Sequence, residues 1–184
     1  MIRQIPNTLT MMRLFSAPLL AAFLLYGRES YAFAVFAFAG LTDVADGFLA
    51  KRYGLTTEVG RYLDPAADKL LMLAAFIALT KIGQTPLWLT LIVIGRDIAI
   101  VAAIFVARLL ALPLRVEPLP IGKVCTAIQV MYVALVLLLL AFHTEAPKAL
   151  QMAAFVAAGF TVASWLAYTV LWLRAFVARY RSVA

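Results

Sequence analysis

The chain has 184 residues and a net charge of +7, and it is 65% hydrophobic with only 14% charged residues. A soluble domain is roughly half apolar and about a quarter charged, so this composition excludes an ordinary soluble domain and indicates a membrane protein. The basic residues lie mostly between apolar runs, which favours anionic lipid headgroups over nucleic acid as their partner.

Apolar runs separated by polar clusters predict six membrane helices, each close to the ~20 residues that a bilayer core requires. The predicted helices cover roughly residues 8–26, 31–52, 62–82, 86–110, 121–142 and 148–175. The connections between them are rich in Gly, Pro or charge, and four are evident: Gly27 to Ser30, Gly83 to Pro86, Pro113 to Pro120 and Thr144 to Lys148. Since no linker, low-complexity run or repeat divides the chain, we predict an all-α integral membrane protein, a six-transmembrane-helix bundle with one domain over residues 1–184.

The basic residues predict the orientation of these helices. Arg28, Lys81 and Lys148 fall on one side of the membrane, and Arg96 lies within a helix. Twelve fall on or near the other side, which the positive-inside rule assigns to the cytoplasm: Arg3, Arg13, Lys51, Arg52, Arg61, Lys69, Arg108, Arg115, Lys123, Arg174, Arg179 and Arg181. The start of the chain lacks an Arg/Ser-rich leader, so we expect a bacterial inner membrane rather than a mitochondrial one.

Charged residues interrupt the first four predicted helices but not residues 124–144 or 149–173. Charge inside a membrane helix is unfavourable by several kcal/mol unless it is paired or hydrated, so it indicates a functional site. The charged positions are Arg13, Asp43, Asp46, Asp64, Asp68, Lys69, Arg96 and Asp97. We therefore expect the chemistry among helices 1 to 4, near the cytoplasmic surface.

Four aspartates form the core of the predicted site. Asp43 and Asp46 are three residues apart and Asp64 and Asp68 four apart, so each pair lies on one helix face. Helices 2 and 3 run in opposite directions, which allows the pairs to meet at similar depth. Four carboxylates close together would repel one another strongly at low dielectric, so we expect divalent cations to be bound between them. Cys125 and His143 are the only residues of their types, so oxygen ligands and a hard ion, Mg²⁺ or Mn²⁺, are expected, in a site suited to phosphoryl transfer.

Small and basic residues accompany the aspartates. Gly47, Ala50 and Gly60 leave room for a ligand near the helix backbone, and Lys51 supplies a cation for phosphate. Each has a structural alternative: the glycines can serve helix packing, and the basic residue can be a stop-transfer charge. Asp64 before Pro65 can likewise be a helix N-cap. The four aspartates as a set have no comparable structural explanation.

The run from Asp43 to Lys51, with Gly60, Asp64 and Asp68, resembles the signature D-x2-D-G-x2-A-R-x8-G-x3-D-x3-D of the CDP-alcohol phosphotransferases. Every spacing agrees, and Lys51 in place of arginine is the one difference. Pro6 to Arg13 and Gly122-Lys123 also resemble family landmarks. The resemblance implies that an alcohol attacks the lipid-linked phosphate of a CDP-linked donor and releases CMP.

The resemblance also implies residue roles. Asp43, Asp46, Asp64 and Asp68 would hold metal ions, in a two-metal site, and Asp68 would be the general base for the acceptor hydroxyl. The CDP part of the donor would be bound by six residues: Asn7, Thr10, Gly47, Ala50, Lys51 and Gly60. Lysine is a point charge and arginine a planar fork, so Lys51 puts one bidentate phosphate contact in question. A homodimer is expected.

The acceptor alcohol is the finer question. The cardiolipin synthases of this family resemble this chain in three features. These are the segments Phe38–Asp43 and Ile94–Asp97, and the spacing between Arg96 and Arg108. These would transfer a phosphatidyl group from CDP-diacylglycerol to phosphatidylglycerol; the alternative is a phosphatidylglycerophosphate synthase, with glycerol 3-phosphate as acceptor. In either case Arg96, Arg108 and Lys123 are candidates for the acceptor phosphate. Pairing of Arg96 with Asp97 is the structural alternative.

A divalent-cation carrier is the alternative from another class of function. The clustered aspartates permit it, but they lie at the predicted cytoplasmic ends of helices 2 and 3 and no internal repeat is visible. Both features favour an enzyme.

Overall fold

The structure is a computed structural model that describes residues 5–53, 58–109 and 119–183, with side chains described over 11–44, 66–107, 109 and 119–174. These residues form six helices and no strand. The helices are α1 (Ile5–Leu25), α2 (Glu29–Tyr53), α3 (Glu58–Lys81), α4 (Leu87–Leu109), α5 (Pro120–Ala141) and α6 (Pro147–Val183). The all-α prediction is confirmed.

Each predicted membrane helix corresponds to one observed helix. The main difference is at the end of the chain, where α6 has 37 residues and continues to Val183. The apolar run ends near residue 175, but nothing in the following residues breaks a helix, so α6 extends past the length that a membrane requires. The predicted connection from Pro113 to Pro120 lies largely outside the described residues.

Within the part of the chain whose side chains are described, three helical stretches are long and apolar enough to cross a membrane: Leu87–Ala107, Pro120–Ala141 and Pro147–Arg174. In α1 the described side chains form a shorter apolar stretch, Met11–Leu25. Helices α2 and α3 contain the aspartates, and their described side chains cover only residues 29–44 and 66–81. Length and composition therefore support three of the six predicted spans directly.

Helices α1, α3 and α5 end in the same way. The second residue after each helix has positive φ: 67° at Gly27, 78° at Gly83 and 50° at His143. In each case the following N–H reaches back five residues, as in the bond from the Arg28 N–H to the Phe23 carbonyl at 2.8 Å. This is the Schellman motif, for which glycine is preferred because it lacks a Cβ. Two of the three helices therefore end at the glycines that the sequence placed in connections.

The described residues form two compact groups. The first contains α1, α2, α3 and Val133–Pro147. Here α1 packs against both α2 and α3. Apolar side chains from all three helices are fully buried: Leu20, Leu24, Ala32, Ala39, Ala75, Phe76 and Leu79. The Ser30 hydroxyl also donates to the Ala141 carbonyl at 3.4 Å and joins the start of α2 to the end of α5.

The second group contains α4, α5 up to Tyr132, and α6 from Lys148. The buried face of α6 recurs every three or four residues and carries small, hydroxyl and aromatic side chains: Ala154, Ala157, Thr161, Ser164 and Tyr168. Such a stripe lets membrane helices approach closely and join through hydrogen bonds.

One such hydrogen-bond cluster joins α5 to α6. The Gln129 amide donates to the Thr161 hydroxyl at 2.9 Å, and this hydroxyl donates to the Ala157 carbonyl at 2.7 Å. Cys125 is buried beside them, with its Sγ 3.6 Å from the Thr161 hydroxyl. Cys125 is therefore a packing residue, as its apolar surroundings in the sequence indicate.

Thr161→Val should lower the free energy of unfolding by about 1 kcal/mol, because the buried Gln129 amide loses its oxygen acceptor and keeps only the weaker Cys125 Sγ, at 3.4 Å. The matched control is Thr169→Val, also on α6, whose exposed hydroxyl donates only to the Trp165 carbonyl. Thermal unfolding in detergent measures both variants. Equal destabilisation by the two substitutions would contradict the prediction.

Candidate active site

An arginine on α1 joins two of the signature aspartates. Arg13 Nη2 lies 3.0 Å from Asp43 Oδ1, and Nη1 donates to Asp68 Oδ1 at 3.1 Å. Asp43 belongs to α2 and Asp68 to α3, so one guanidinium connects three helices. The predicted convergence of the two aspartate pairs is thus observed for one member of each pair.

The ion pairs have an asymmetric environment. The Arg13 side chain is only 1% exposed, whereas those of Asp43 and Asp68 are 53% and 47% exposed. A buried guanidinium requires partners, and its planar fork suits two carboxylates at once. The carboxylates remain accessible from outside the helices. The arrangement therefore presents two anionic oxygen donors on a rigid cationic support.

Most of the other predicted site residues lie outside the residues whose side chains the structure describes. These are Asn7, Thr10, Asp46, Gly47, Ala50, Lys51, Gly60, Asp64 and Arg108. Among the described side chains, Asp, Glu, His and Cys form no group of three or more that holds a metal. The four-aspartate metal site therefore stays a prediction.

The donors that are described fit a hard cation. Asp43 and Asp68 contribute carboxylate oxygens from two helices, and both carboxylates are half exposed. Carboxylate oxygen is the ligand type that Mg²⁺ and Mn²⁺ prefer. Their shared contact to Arg13 keeps them near each other, as a shared ion would require.

An apolar groove of about 520 Å³ runs between α1 and α3 beside this cluster. Leu14 and Leu70 line the end of the groove next to Arg13 and Asp68, and Leu25 and Lys81 line the far end. Small side chains open it along its length: Ala17, Pro18, Ala21, Ala74 and Ala78. Chemically, the groove matches a hydrocarbon chain that begins near the aspartates.

Arg96, a candidate for the acceptor phosphate, is buried in the second group. Its Nη1 donates to Asp97 Oδ1 at 2.8 Å and its Nη2 donates to the Ser164 hydroxyl at 2.9 Å. The pairing with Asp97, considered above as the structural alternative, is therefore present. Lys123, by contrast, lies exposed in the first turn of α5.

The partners of these cations are not evident from the sequence. Residues 149–173 lack charge, so nothing assigned a role to Ser164 or Tyr168, although both contact Arg96. One signal was present: Thr161, Ser164 and Tyr168 share a helix face at spacings of three and four. Arg13 was recognised as an unusual charge, but not as the residue that joins α1 to Asp43 and Asp68.

Comparison with known proteins identifies a family. The family model described as CDP-alcohol phosphatidyltransferase matches residues 3–180.

Individual relatives carry two different names. The rat "Cardiolipin synthase (CMP-forming)" is 38% identical over 146 residues, which cover 71% of this chain and 48% of the relative. The human protein of that name is 37% identical, again over 71% of this chain and 48% of the relative. A "Probable phosphatidylglycerophosphate synthase" of Mycobacterium tuberculosis is 34% identical over 83% of this chain and 75% of the relative. The chain thus spans about half the length of the rat and human relatives.

Arg13→Gln should lower the free energy of unfolding by about 1–3 kcal/mol, since two carboxylates lose a buried counterion; their partial exposure keeps the loss below that of a fully buried pair. The free energy of unfolding of Arg13→Lys should lie between those of the unsubstituted protein and Arg13→Gln, because lysine keeps the positive charge but lacks the planar guanidinium. Thermal unfolding in detergent measures both. Arg28→Gln, an exposed site with the same charge change, is the control, and an equal effect there would contradict the prediction.

Proposed function

We propose that this chain, which belongs to the CDP-alcohol phosphatidyltransferase family, transfers a phosphatidyl group from CDP-diacylglycerol to phosphatidylglycerol. The products are cardiolipin and CMP. The observation that carries the proposal is the meeting of Asp43 and Asp68, the first and last aspartates of the signature, on one guanidinium. Residues at opposite ends of the signature therefore lie close together, which supports a single site.

In the proposed reaction the acceptor hydroxyl oxygen attacks the phosphorus that carries the diacylglycerol. A new P–O bond forms, the P–O bond to the CMP phosphate breaks, and CMP leaves with the bonding electron pair. Asp68 accepts the hydroxyl proton as general base. Its half-exposed carboxylate is accessible to a substrate, and Arg13 orients it through the contact at 3.1 Å.

Divalent cations are proposed to be held by Asp43, Asp46, Asp64 and Asp68. Dependence on a divalent metal is general in the family, and the oxygen donors of Asp43 and Asp68 fit such an ion. When bound, Mg²⁺ or Mn²⁺ would neutralise the diphosphate of the donor. Without it, the acidic cluster would repel that diphosphate.

The donor is proposed to lie along α1 to α3. The CDP part would be bound by the residues that the family resemblance implies: Asn7, Thr10, Gly47, Ala50, Lys51 and Gly60. The groove that begins at Leu14 and Leu70 supports a donor with acyl chains, because its apolar lining starts beside the aspartates. A water-soluble CDP-alcohol would have no use for it.

The acceptor phosphate is proposed to bind at Arg96, Arg108 and Lys123. Lys123 is exposed, which supports a direct contact. Both terminal nitrogens of Arg96 have protein partners, so Arg96 would exchange one of them for phosphate. Phosphatidylglycerophosphate synthesis is the second candidate, favoured by the similarity to the Mycobacterium tuberculosis protein.

The family membership and the apolar helices make this a membrane protein. We further propose a homodimer in a bacterial inner membrane, with the aspartates facing the cytoplasm. The distribution of basic residues along the sequence supports this orientation.

Purified protein given labelled CDP-diacylglycerol should release CMP with phosphatidylglycerol as acceptor, and chelation of divalent ions should abolish release. Thin-layer separation of the lipid products measures both results. Product with glycerol 3-phosphate but not with phosphatidylglycerol would establish the second candidate instead. Metal-dependent CMP release in detergent, where no ion gradient exists, would also exclude a pure carrier.

Asp68→Asn should reduce kcat by at least about 100-fold, because an amide cannot accept the hydroxyl proton. Binding of CDP-diacylglycerol, measured by titration calorimetry, should be largely retained. Glu145→Gln, at an exposed position in the α5–α6 connection, is the matched control and should leave both unchanged. Loss of donor binding in Asp68→Asn would mean that Asp68 acts chiefly as a metal ligand.

A further inference from the structure

The first turn of α5 begins with an unusual cap. The Gly122 and Lys123 N–H groups both reach back to the Leu119 carbonyl, at 2.9 and 3.3 Å, so Leu119 occupies the N-cap position before Pro120. Proline suits the first helical position, but a leucine side chain has no oxygen with which to cap the helix. The side chain at the N-cap position therefore does nothing to hold the start of α5.

A side chain from α6, Tyr168, contacts the backbone at this point. The Leu119 N–H donates to the Tyr168 hydroxyl at 3.2 Å, and the Tyr168 side chain is buried. The Leu119 N–H is partly buried and has no helical acceptor because it precedes the helix, so the tyrosine hydroxyl is its partner. A single side-chain hydroxyl thus ties the entry of α5 to α6.

Gly122 permits this close approach. A Cβ at position 122 would lie 2.8 Å from the Tyr168 hydroxyl oxygen, 3.2 Å from its ring and 3.3 Å from Arg96 Nη2. The first of these distances is shorter than any real Cβ contact, so alanine would force the helix and the tyrosine apart. The glycine of the Gly122-Lys123 pair is therefore required by packing against Tyr168.

Arg96 in turn restrains the tyrosine ring. The guanidinium carbon lies 5.7 Å from the ring centroid, within the range of a cation–π contact. Asp97 and Ser164 hold the same guanidinium at 2.8 and 2.9 Å. The position of Tyr168 is accordingly determined by α4 and α6 together.

Lys123 follows Gly122 directly and is exposed, so the contact between Gly122 and Tyr168 sets where the lysine leaves the helix. We propose that Tyr168 is a positioning residue for the acceptor site: its hydroxyl holds the first turn of α5 in place and thereby aligns Lys123 with the phosphate of the acceptor. The inference rests on the proposed function, in which Lys123 binds that phosphate. Tyr168 itself does not touch substrate.

Tyr168→Phe removes only the hydroxyl and should raise the apparent KM for phosphatidylglycerol about three- to tenfold, the equivalent of one lost hydrogen bond. The KM for CDP-diacylglycerol and kcat should be unchanged. Gly122→Ala should also raise the KM for phosphatidylglycerol. In the Tyr168→Phe background the increase should be smaller, because the hydroxyl that the added Cβ would meet is absent. Tyr132→Phe removes another buried tyrosine hydroxyl of the same group and is the control.

The deciding measurement is a double-mutant cycle of Tyr168→Phe with Lys123→Gln on the acceptor KM. If Tyr168 acts through Lys123, its effect should disappear once the lysine is replaced. An effect that persists, an unchanged KM, or an equal change in Tyr132→Phe would overturn the positioning role and leave the proposed function standing. Absence of CMP release by the unsubstituted protein with either acceptor would instead reject the proposed function, and this inference with it.

Discussion

The guanidinium of Arg13 is a full positive charge in the interior of a group of helices, and the arrangement of α1, α2 and α3 depends on its neutralisation. Its contacts to Asp43 and Asp68, at 3.0 and 3.1 Å, satisfy this requirement with one carboxylate from each neighbouring helix. A buried cation without partners would be strongly destabilising, so the three helices have little freedom to slide past one another. The same contacts bring the first and last signature aspartates to one place.

The contrast in exposure gives this ion-pair cluster its chemical character. The arginine is enclosed, while its two carboxylate partners are half exposed. The buried arginine attracts both carboxylates and so keeps them close to each other despite their mutual repulsion. Because the carboxylates are half exposed, they remain accessible to a ligand. The adjoining groove adds an apolar surface that begins at Leu14 and Leu70. Charge and hydrocarbon surfaces thus meet at one end of α1 and α3, which is the combination that a lipid with a diphosphate headgroup requires.

The second group obeys the same constraint with different partners. Arg96 is buried with its two terminal nitrogens paired to Asp97 and Ser164, and the Gln129 amide is paired to Thr161. Helices α5 and α6 have no charge in their apolar runs, yet hydroxyl and amide groups on their buried faces join them. In an apolar environment such bonds orient helices, because hydrophobic burial alone does not distinguish one helix face from another. Tyr168 extends this system to the backbone that precedes α5.

The sequence by itself determined what depends on short spacing: six helices, the two helix-ending glycines, the aspartate pairs and the family signature. These features repeat within one or two helical turns, or follow from composition, so no distant residue is needed to recognise them. Tertiary structure alone decided the partners: which aspartates Arg13 joins, that Arg96 turns to Ser164, and that Tyr168 meets Gly122. Those contacts join residues tens of positions apart, and their selection depends on helix rotation and depth. Gln129, Thr161 and Ser164 look unremarkable in the sequence because a hydroxyl or amide becomes informative only once its buried partner is known.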